Sequence, residues 1–77
     1  MNSTEKRQTI QKDGYQDRVR REHDELNIKI NRLEAFIAGS VFDTLPPEEQ
    51  ERLEKQEYHM RNYCLMLIER IDWFNTL

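Results

Sequence analysis

The sequence predicts an all-α protein: an antiparallel two-helix hairpin with a short N-terminal segment, assembled into a homo-oligomeric helical bundle. Of its 77 residues, 35% are charged and 36% are hydrophobic, with two Gly and two Pro. This composition is typical of long solvated helices. Two stretches repeat apolar residues at alternating steps of three and four, and a short connector separates them. Because one seam between two helices buries little surface, we expect copies of the chain to associate.

The first segment, residues 1–14, is polar, with Ile10 as its one sizeable apolar residue after Met1. We expect a short helix or a flexible lead, with Gly14 as a plausible break. The segment lacks the apolar region of a secretory signal. The longest apolar run in the chain has six residues, whereas a membrane-spanning helix needs about 20. The sequence therefore predicts a cytoplasmic protein with no membrane partner.

The first long helix is expected at about residues 15–38. Its apolar positions form a heptad seam, the pattern of a helix that packs along one face of another. Gly39 then provides a C-terminal stop. The seam consists of Val19, His23, Leu26, Ile30, Leu33 and Ile37.

A connector at residues 39–46 leads into a second helix at about residues 46–74. Pro46 and Pro47 suit the start of a helix, and Glu48 and Glu49 suit the positive end of its dipole. A short connector between two helices with complementary seams predicts antiparallel packing. The second seam consists of Leu53, Glu57, Met60, Cys64, Leu67, Ile71 and Phe74.

The second helix carries more apolar surface than one partner helix can cover. A helix that is apolar nearly all round is normally buried on several sides. The additional partners are either further copies of the chain or an unrelated host protein; otherwise the patch is exposed and tolerated. The off-seam residues are Tyr58, Tyr63, Leu65, Met66, Ile68 and Trp73, with Ile28 and Phe36 on the first helix.

Catalytic and metal-binding patterns are missing from the sequence. It has no glycine-rich phosphate loop, nucleophile elbow or zinc-protease motif. Cys64 lies in an apolar run, so we expect it to be a small buried hydrophobic residue. His23 and His59 do not pair at metal-ligand spacing with each other or with Cys64. We therefore expect a protein that is not an enzyme and needs neither metal nor cofactor, and the net charge of −3 argues against DNA binding.

A small-ligand site is more plausible near the start of the first helix. Tyr15 follows Gly14 and precedes Arg18, Arg20 and Arg21. An aromatic ring beside basic groups suits a planar anion, because the ring stacks on a base and the cation binds a phosphate. The alternative is a capping tyrosine beside a solvated charged face.

Two parts of the sequence resemble small phage anti-defence sponge proteins of the anti-CBASS and anti-Thoeris type. One is Gly14-Tyr15 followed by Lys29 within LNIKINRL; the other is the C-terminal hairpin from Phe36 to Ile71. The resemblance implies compact oligomers, commonly hexamers, that bind cyclic dinucleotides or related nucleotides without cleaving them. Such a protein silences a bacterial immune pathway in the host cytoplasm.

In that family an aromatic residue after glycine and a helix-one lysine line the nucleotide pocket, which here implies Tyr15 and Lys29. Gln16 stands where the family pattern has arginine, and Arg18 is the candidate replacement. Arg61 and Arg70 are candidates for a second nucleotide site, and the alternative for Arg70 is a surface ion pair near Glu69 or Asp72.

The spacing of Tyr15 and Lys29 constrains how one site could use both. On one continuous helix, fourteen residues place them about 21 Å apart. Either protomers meet head to head or the chain folds back at Gly14. The alternative function is a small structural or regulatory module that binds another protein through the apolar face of the second helix.

Overall fold

The computed structural model describes residues 2–77, with side chains from residue 14 onward. The described residues form three helices: α1 spans Asn2–Ile37, α2 spans Ser40–Asp43 and α3 spans Pro47–Thr76. The predicted all-α class is confirmed. The predicted polar lead lies outside the described side chains, except for its last residue. That residue, Gly14, is helical within α1, so the structure has no break there.

Helices α1 and α3 pack against each other in antiparallel orientation. Tyr15, in the first half of α1, contacts Phe74 near the end of α3. Further along, Glu22 bonds Tyr63, and Glu34 near the end of α1 pairs with Arg61. The two helices therefore run side by side over most of the hairpin.

The heptad pattern explains this packing. Every seam position predicted on the two helices is buried or half-buried. The centre of the core is Leu67, which packs with Val19 and Phe74, while Leu26 and Ile71 cover the cluster from its edges. Branched and aromatic side chains at steps of three and four meet between the helices because those steps return to the same helix face.

The connector contains an element that the sequence analysis missed, the single turn α2. Phe42 on this turn is buried and closes the end of the hairpin, whereas its neighbour Val41 is exposed. Gln50 on α3 fastens the turn, since its Nε2 donates to the carbonyl oxygens of Phe42 at 3.1 Å and Leu45 at 3.0 Å.

Gly39 does not end α1 in the expected way. A glycine stop uses a left-handed conformation, but Gly39 has φ −92° and ψ 171° and caps the N-terminus of α2. The chain leaves α1 through an extended residue and enters the next helical turn at once. The helix ends differ slightly from the predicted ones. Helix α1 ends at Ile37, where residue 38 was expected, and α3 continues to Thr76, where an end at about residue 74 was expected.

The off-seam apolar side chains of the long helices remain exposed on the single hairpin. The set on α3 comprises Tyr58, Tyr63, Leu65, Met66, Ile68 and Trp73, and the set on α1 comprises Ile28 and Phe36. Within the described part of the chain, no helix combines the length and apolar content that crossing a membrane requires.

Candidate functional site

The open end of the hairpin brings Tyr15 and Arg70 together, although 55 residues separate them. Arg70 Nη2 donates a hydrogen bond of 2.7 Å to Tyr15 Oη. The central carbon of the Arg70 guanidinium, Cζ, lies 5.6 Å from the centroid of the Tyr15 ring. At this distance a cation is attracted to an aromatic ring. Antiparallel packing produces this pairing because it sets the last turns of α3 beside the part of α1 that follows Gly14.

We call this group of side chains the Tyr15 cluster. Its members are Tyr15, Arg20, Arg70, Trp73 and Phe74. The Tyr15 and Phe74 rings meet edge to face, with centroids 5.6 Å apart and planes at 64°. The guanidinium of Arg20 lies 5.8 Å from the Phe74 centroid. The Trp73 ring lies beside Phe74 at 6.1 Å. The cluster therefore interleaves three rings with two cations.

Three arginines lie within residues 14–21 of α1, where Asp17 is the one carboxylate. Glu22 follows directly on α1, and Glu69 and Asp72 flank Arg70 on α3, so the region supplies guanidinium groups without a net positive charge. Asp17 Oδ1 lies 4.0 Å from Arg20 Nη1, an exposed pair worth little to stability. An exposed aromatic ring beside guanidinium groups can stack on a base while those groups bind phosphate oxygens.

Arg18 belongs to the same end of the hairpin. It lies three residues after Tyr15, which places the two side chains on neighbouring positions of the helix surface. Its Nη1 lies 3.4 Å from the point where a Cβ on Gly14 would stand. The Arg18 guanidinium therefore rests against the glycine one turn before it, close to the Tyr15 cluster.

Lys29 lies elsewhere on the hairpin. It is exposed on α1, in a shallow groove with Glu25, Ile28 and Arg32. Since Gly14 is helical, Tyr15 and Lys29 share one continuous helix, about 21 Å apart along its axis. One small nucleotide cannot reach both residues of the same hairpin.

Arg61 is also separate from the Tyr15 cluster. It forms an ion pair with Glu34 across the helices, and its Nε lies 3.4 Å from Glu57 Oε2. It borders a groove of about 400 Å³ that Tyr58 also lines. Two carboxylates hold its guanidinium, which leaves Arg61 fewer N–H groups for a phosphate. The structure thus separates Arg61 from Arg70, which the sequence analysis had grouped in one second site.

Sequence reasoning missed the role of Phe74, which had been placed on the seam alone. It also missed a second cross-helix contact, in which Tyr63 Oη donates to Glu22 Oε2. This hydrogen bond raises the pKa of Tyr63 above its ordinary value. Neither contact leaves a local signal, because each joins residues more than forty positions apart.

The candidate metal ligands do not converge. Cys64 is buried as a free thiol, and His23 Nδ1 lies 3.1 Å from Asp24 Oδ1. His59 is exposed and meets the Tyr58 ring edge-on. Among the described side chains, no group of three or more His, Cys, Asp and Glu residues could hold a metal ion.

Comparisons with known proteins place this hairpin in a family. An uncharacterized 7.5 kDa protein from the denB-rIIB intergenic region of Enterobacteria phage T4 is 42% identical over 61 residues, which cover 79% of this chain and 95% of that relative. No solved structure matches the chain. The sequence model of the Sequestin family matches residues 13–73, a span that includes all five predicted site residues and ends just before Phe74. The chain therefore belongs to the Sequestin family, as its resemblance to phage sponge proteins indicated.

Proposed function

We propose that the protein is a homo-oligomeric, non-catalytic sponge that sequesters cyclic oligonucleotide immune signals, namely cyclic dinucleotides or related nucleotides. Membership of the Sequestin family suggests the sequestration of signals by a phage protein. The observation that carries the proposal to a ligand class is the Tyr15–Arg70 pair, in which an exposed aromatic ring lies beside a guanidinium group. Sequestration there would take place in the cytoplasm of a host bacterium.

Each group in the pair supplies one part of nucleotide recognition. The Tyr15 ring is 44% exposed, so it can stack on a base, an interaction worth about 1–3 kcal/mol. Arg70 uses one N–H to hold Tyr15 and keeps others for phosphate oxygens, since a guanidinium has five donors. Arg18 supplies a second cation beside the ring.

Lys29 joins this site only from another copy of the chain. The distance of about 21 Å between Tyr15 and Lys29 exceeds the reach of one small ligand. We therefore propose a composite site in which one hairpin gives Tyr15 and Arg70 and a neighbour gives Lys29. Contact between the exposed apolar faces of α3 would hold the copies together, and a hexamer is the assembly that the family resemblance implies.

Ligand binding is tested by thermal unfolding with a panel of cyclic di- and trinucleotides. A ligand present at 100 times its Kd stabilises the native state by about 2.7 kcal/mol, so the melting point should rise for at least one cyclic nucleotide and not for its linear counterpart. Ligand recovered unchanged after denaturation excludes hydrolysis. A protein shown to be oligomeric that responds to no cyclic nucleotide refutes the proposal.

Site residues are tested by two substitutions with a matched control. Tyr15→Ala and Lys29→Ala should each abolish binding while the oligomer keeps its mass, whereas Lys55→Ala should bind normally because Lys55 pairs with Glu51 on α3. Mixing the unfolded Tyr15→Ala and Lys29→Ala chains and refolding them together should restore part of the binding capacity. Absence of any recovery contradicts a site shared between copies.

The second candidate function is a structural or regulatory module that binds another protein through the apolar face of α3. It is favoured by the exposure of Tyr58, Leu65, Met66, Ile68 and Trp73 on the single hairpin. Contiguous apolar patches are uncommon on proteins without a partner. A monomeric mass by sedimentation, together with no response to cyclic nucleotides, would favour this function over the sponge.

A further inference from the structure

We propose that Phe74 and Arg20 are positioning residues that fix the Tyr15 ring for its ligand. The inference rests on the function proposed above and deepens it. Neither residue is required to touch the nucleotide. Arg20 lies within residues 13–73, the span that matches the Sequestin family, and Phe74 is the first residue after it.

Phe74 is the rigid part of the cluster. It is 6% exposed and packs in the core with Val19 and Leu67, so its ring cannot move without opening that core. The Tyr15 ring meets it edge to face at 5.6 Å. Arg70 also holds Tyr15, but its long side chain has many rotamers, whereas a packed phenyl ring has few. The orientation of Tyr15 is therefore set chiefly by Phe74.

Arg20 ties the last turn of α3 to α1. Its guanidinium lies 5.8 Å from the Phe74 centroid, and its Nη2 donates a hydrogen bond of 3.2 Å to Asn75 Oδ1. Helix ends fray because their last carbonyl groups lack partners within the helix. A contact from α1 to residue 75 counters fraying where Phe74 must stay in place.

Ring orientation matters because stacking needs a fixed plane. A tyrosine that rotates freely must be ordered when the base binds, and this ordering weakens binding. The edge-to-face contact removes that freedom before the ligand arrives. Loss of Phe74 should therefore weaken binding while the groups that touch the nucleotide remain.

The test measures binding and ring environment in the same variants. The probes are cyclic di-AMP and cyclic GMP–AMP, titrated calorimetrically into the full chain. Phe74→Leu keeps an apolar side chain in the core and removes the ring, so it should raise the Kd roughly 3- to 10-fold, the range that one aromatic contact supports. Phe74→Tyr keeps an aromatic ring at this position, so it should raise the Kd less than Phe74→Leu.

Two further variants separate positioning from general destabilisation. Leu67→Met perturbs the same core and leaves the Phe74 ring in place, so its Kd should not change. Asn75→Ala removes the acceptor for Arg20 without changing any charge, and it should raise the Kd by a smaller factor than Phe74→Leu. In protein with ¹³C-labelled tyrosine, Phe74→Leu should shift the ring signals of Tyr15 and leave those of Tyr58 in place.

Three results would overturn the inference: an unchanged Kd in Phe74→Leu, an equal loss of binding in Leu67→Met, or unmoved Tyr15 signals. Wild-type protein that binds neither these probes nor any other cyclic nucleotide would refute the proposed function itself. A wild-type protein that binds the probes, together with an unchanged Kd in Phe74→Leu, would refute the positioning role alone. The two failures are therefore distinguishable.

Discussion

Leu67→Ala should remove most of the stability of the hairpin. Leu67 is 0% exposed and lies at the centre of the core with Val19 and Phe74. Truncation of a buried leucine to alanine costs about 2–5 kcal/mol, because transfer energy is lost and a cavity remains. A single core of this size rarely supplies more than about 3–5 kcal/mol. We therefore expect the variant to be largely unfolded at 25 °C, unless association between copies supplies additional stability.

Leu65→Ala is the matched control. It is the same change two positions earlier on the same helix, but Leu65 is 57% exposed on the single hairpin. Since full burial of a leucine side chain is worth about 1.5–3 kcal/mol, the loss within one hairpin should be about 1 kcal/mol. A larger loss means that another copy buries Leu65.

Urea unfolding followed by far-ultraviolet circular dichroism distinguishes these effects when it is run at two protein concentrations tenfold apart. The wild-type midpoint should rise with concentration, as unfolding coupled to dissociation requires. Leu67→Ala should lower the midpoint at both concentrations, and Leu65→Ala should reduce its concentration dependence. A cost below about 1 kcal/mol for Leu67→Ala would refute the assigned core. Midpoints independent of concentration in the wild type would refute the oligomer.

Three other predictions concern the connector and the surface. Gly39→Ala should change the free energy of unfolding by less than about 1 kcal/mol in chemical denaturation, because φ at this residue is negative and the added Cβ would meet Phe36 O at 3.4 Å; a larger loss would mean that the turn needs glycine. Glu34 is half-buried and Arg61 is exposed, so a double-mutant cycle of Glu34→Ala and Arg61→Ala should give a coupling of about 1 kcal/mol, near the top of the range for exposed pairs, and no measurable coupling would contradict the contact. The hydrogen bond to Glu22 raises the pKa of Tyr63 above the ordinary 10.0, so its stabilisation is complete below that pH and is lost as the pH rises through the raised value. Tyrosinate absorbance should show a late-titrating component that Tyr63→Phe removes, and an unchanged late component in that variant would contradict the contact.

Periodicity was enough to predict the long helices and their inner faces. Steps of three and four residues identify the side chains that share a helix face, and this information is local in the sequence. Leu67 and Leu65 illustrate it, since two neighbouring leucines differ in burial only because one lies on the seam and the other does not. The helix start at Pro47 was likewise predictable, because proline and acidic residues favour the first turn for local reasons.

The contacts across the hairpin could not be predicted in the same way. Which residue of α3 faces Tyr15 depends on how many residues the connector consumes and on the direction in which it turns. The turn α2 and the extended Gly39 set that offset, and both differ from the expected glycine stop. Phe74 was therefore recognised as a seam residue but not as a neighbour of Tyr15, and Arg70 was assigned to a site apart from it.

Continuity of α1 has a consequence for the proposed site that its individual contacts do not reveal. A chain folded back at Gly14 could have brought Tyr15 towards Lys29 within one protomer, but Gly14 is helical. With about 21 Å of rigid helix between the two residues, a ligand that touches both must lie between two hairpins. The apolar residues of α3 that stay exposed on one hairpin would then also matter for ligand binding. Their burial between copies would bring a second α1 close enough to supply Lys29, so assembly and ligand capture would depend on the same faces.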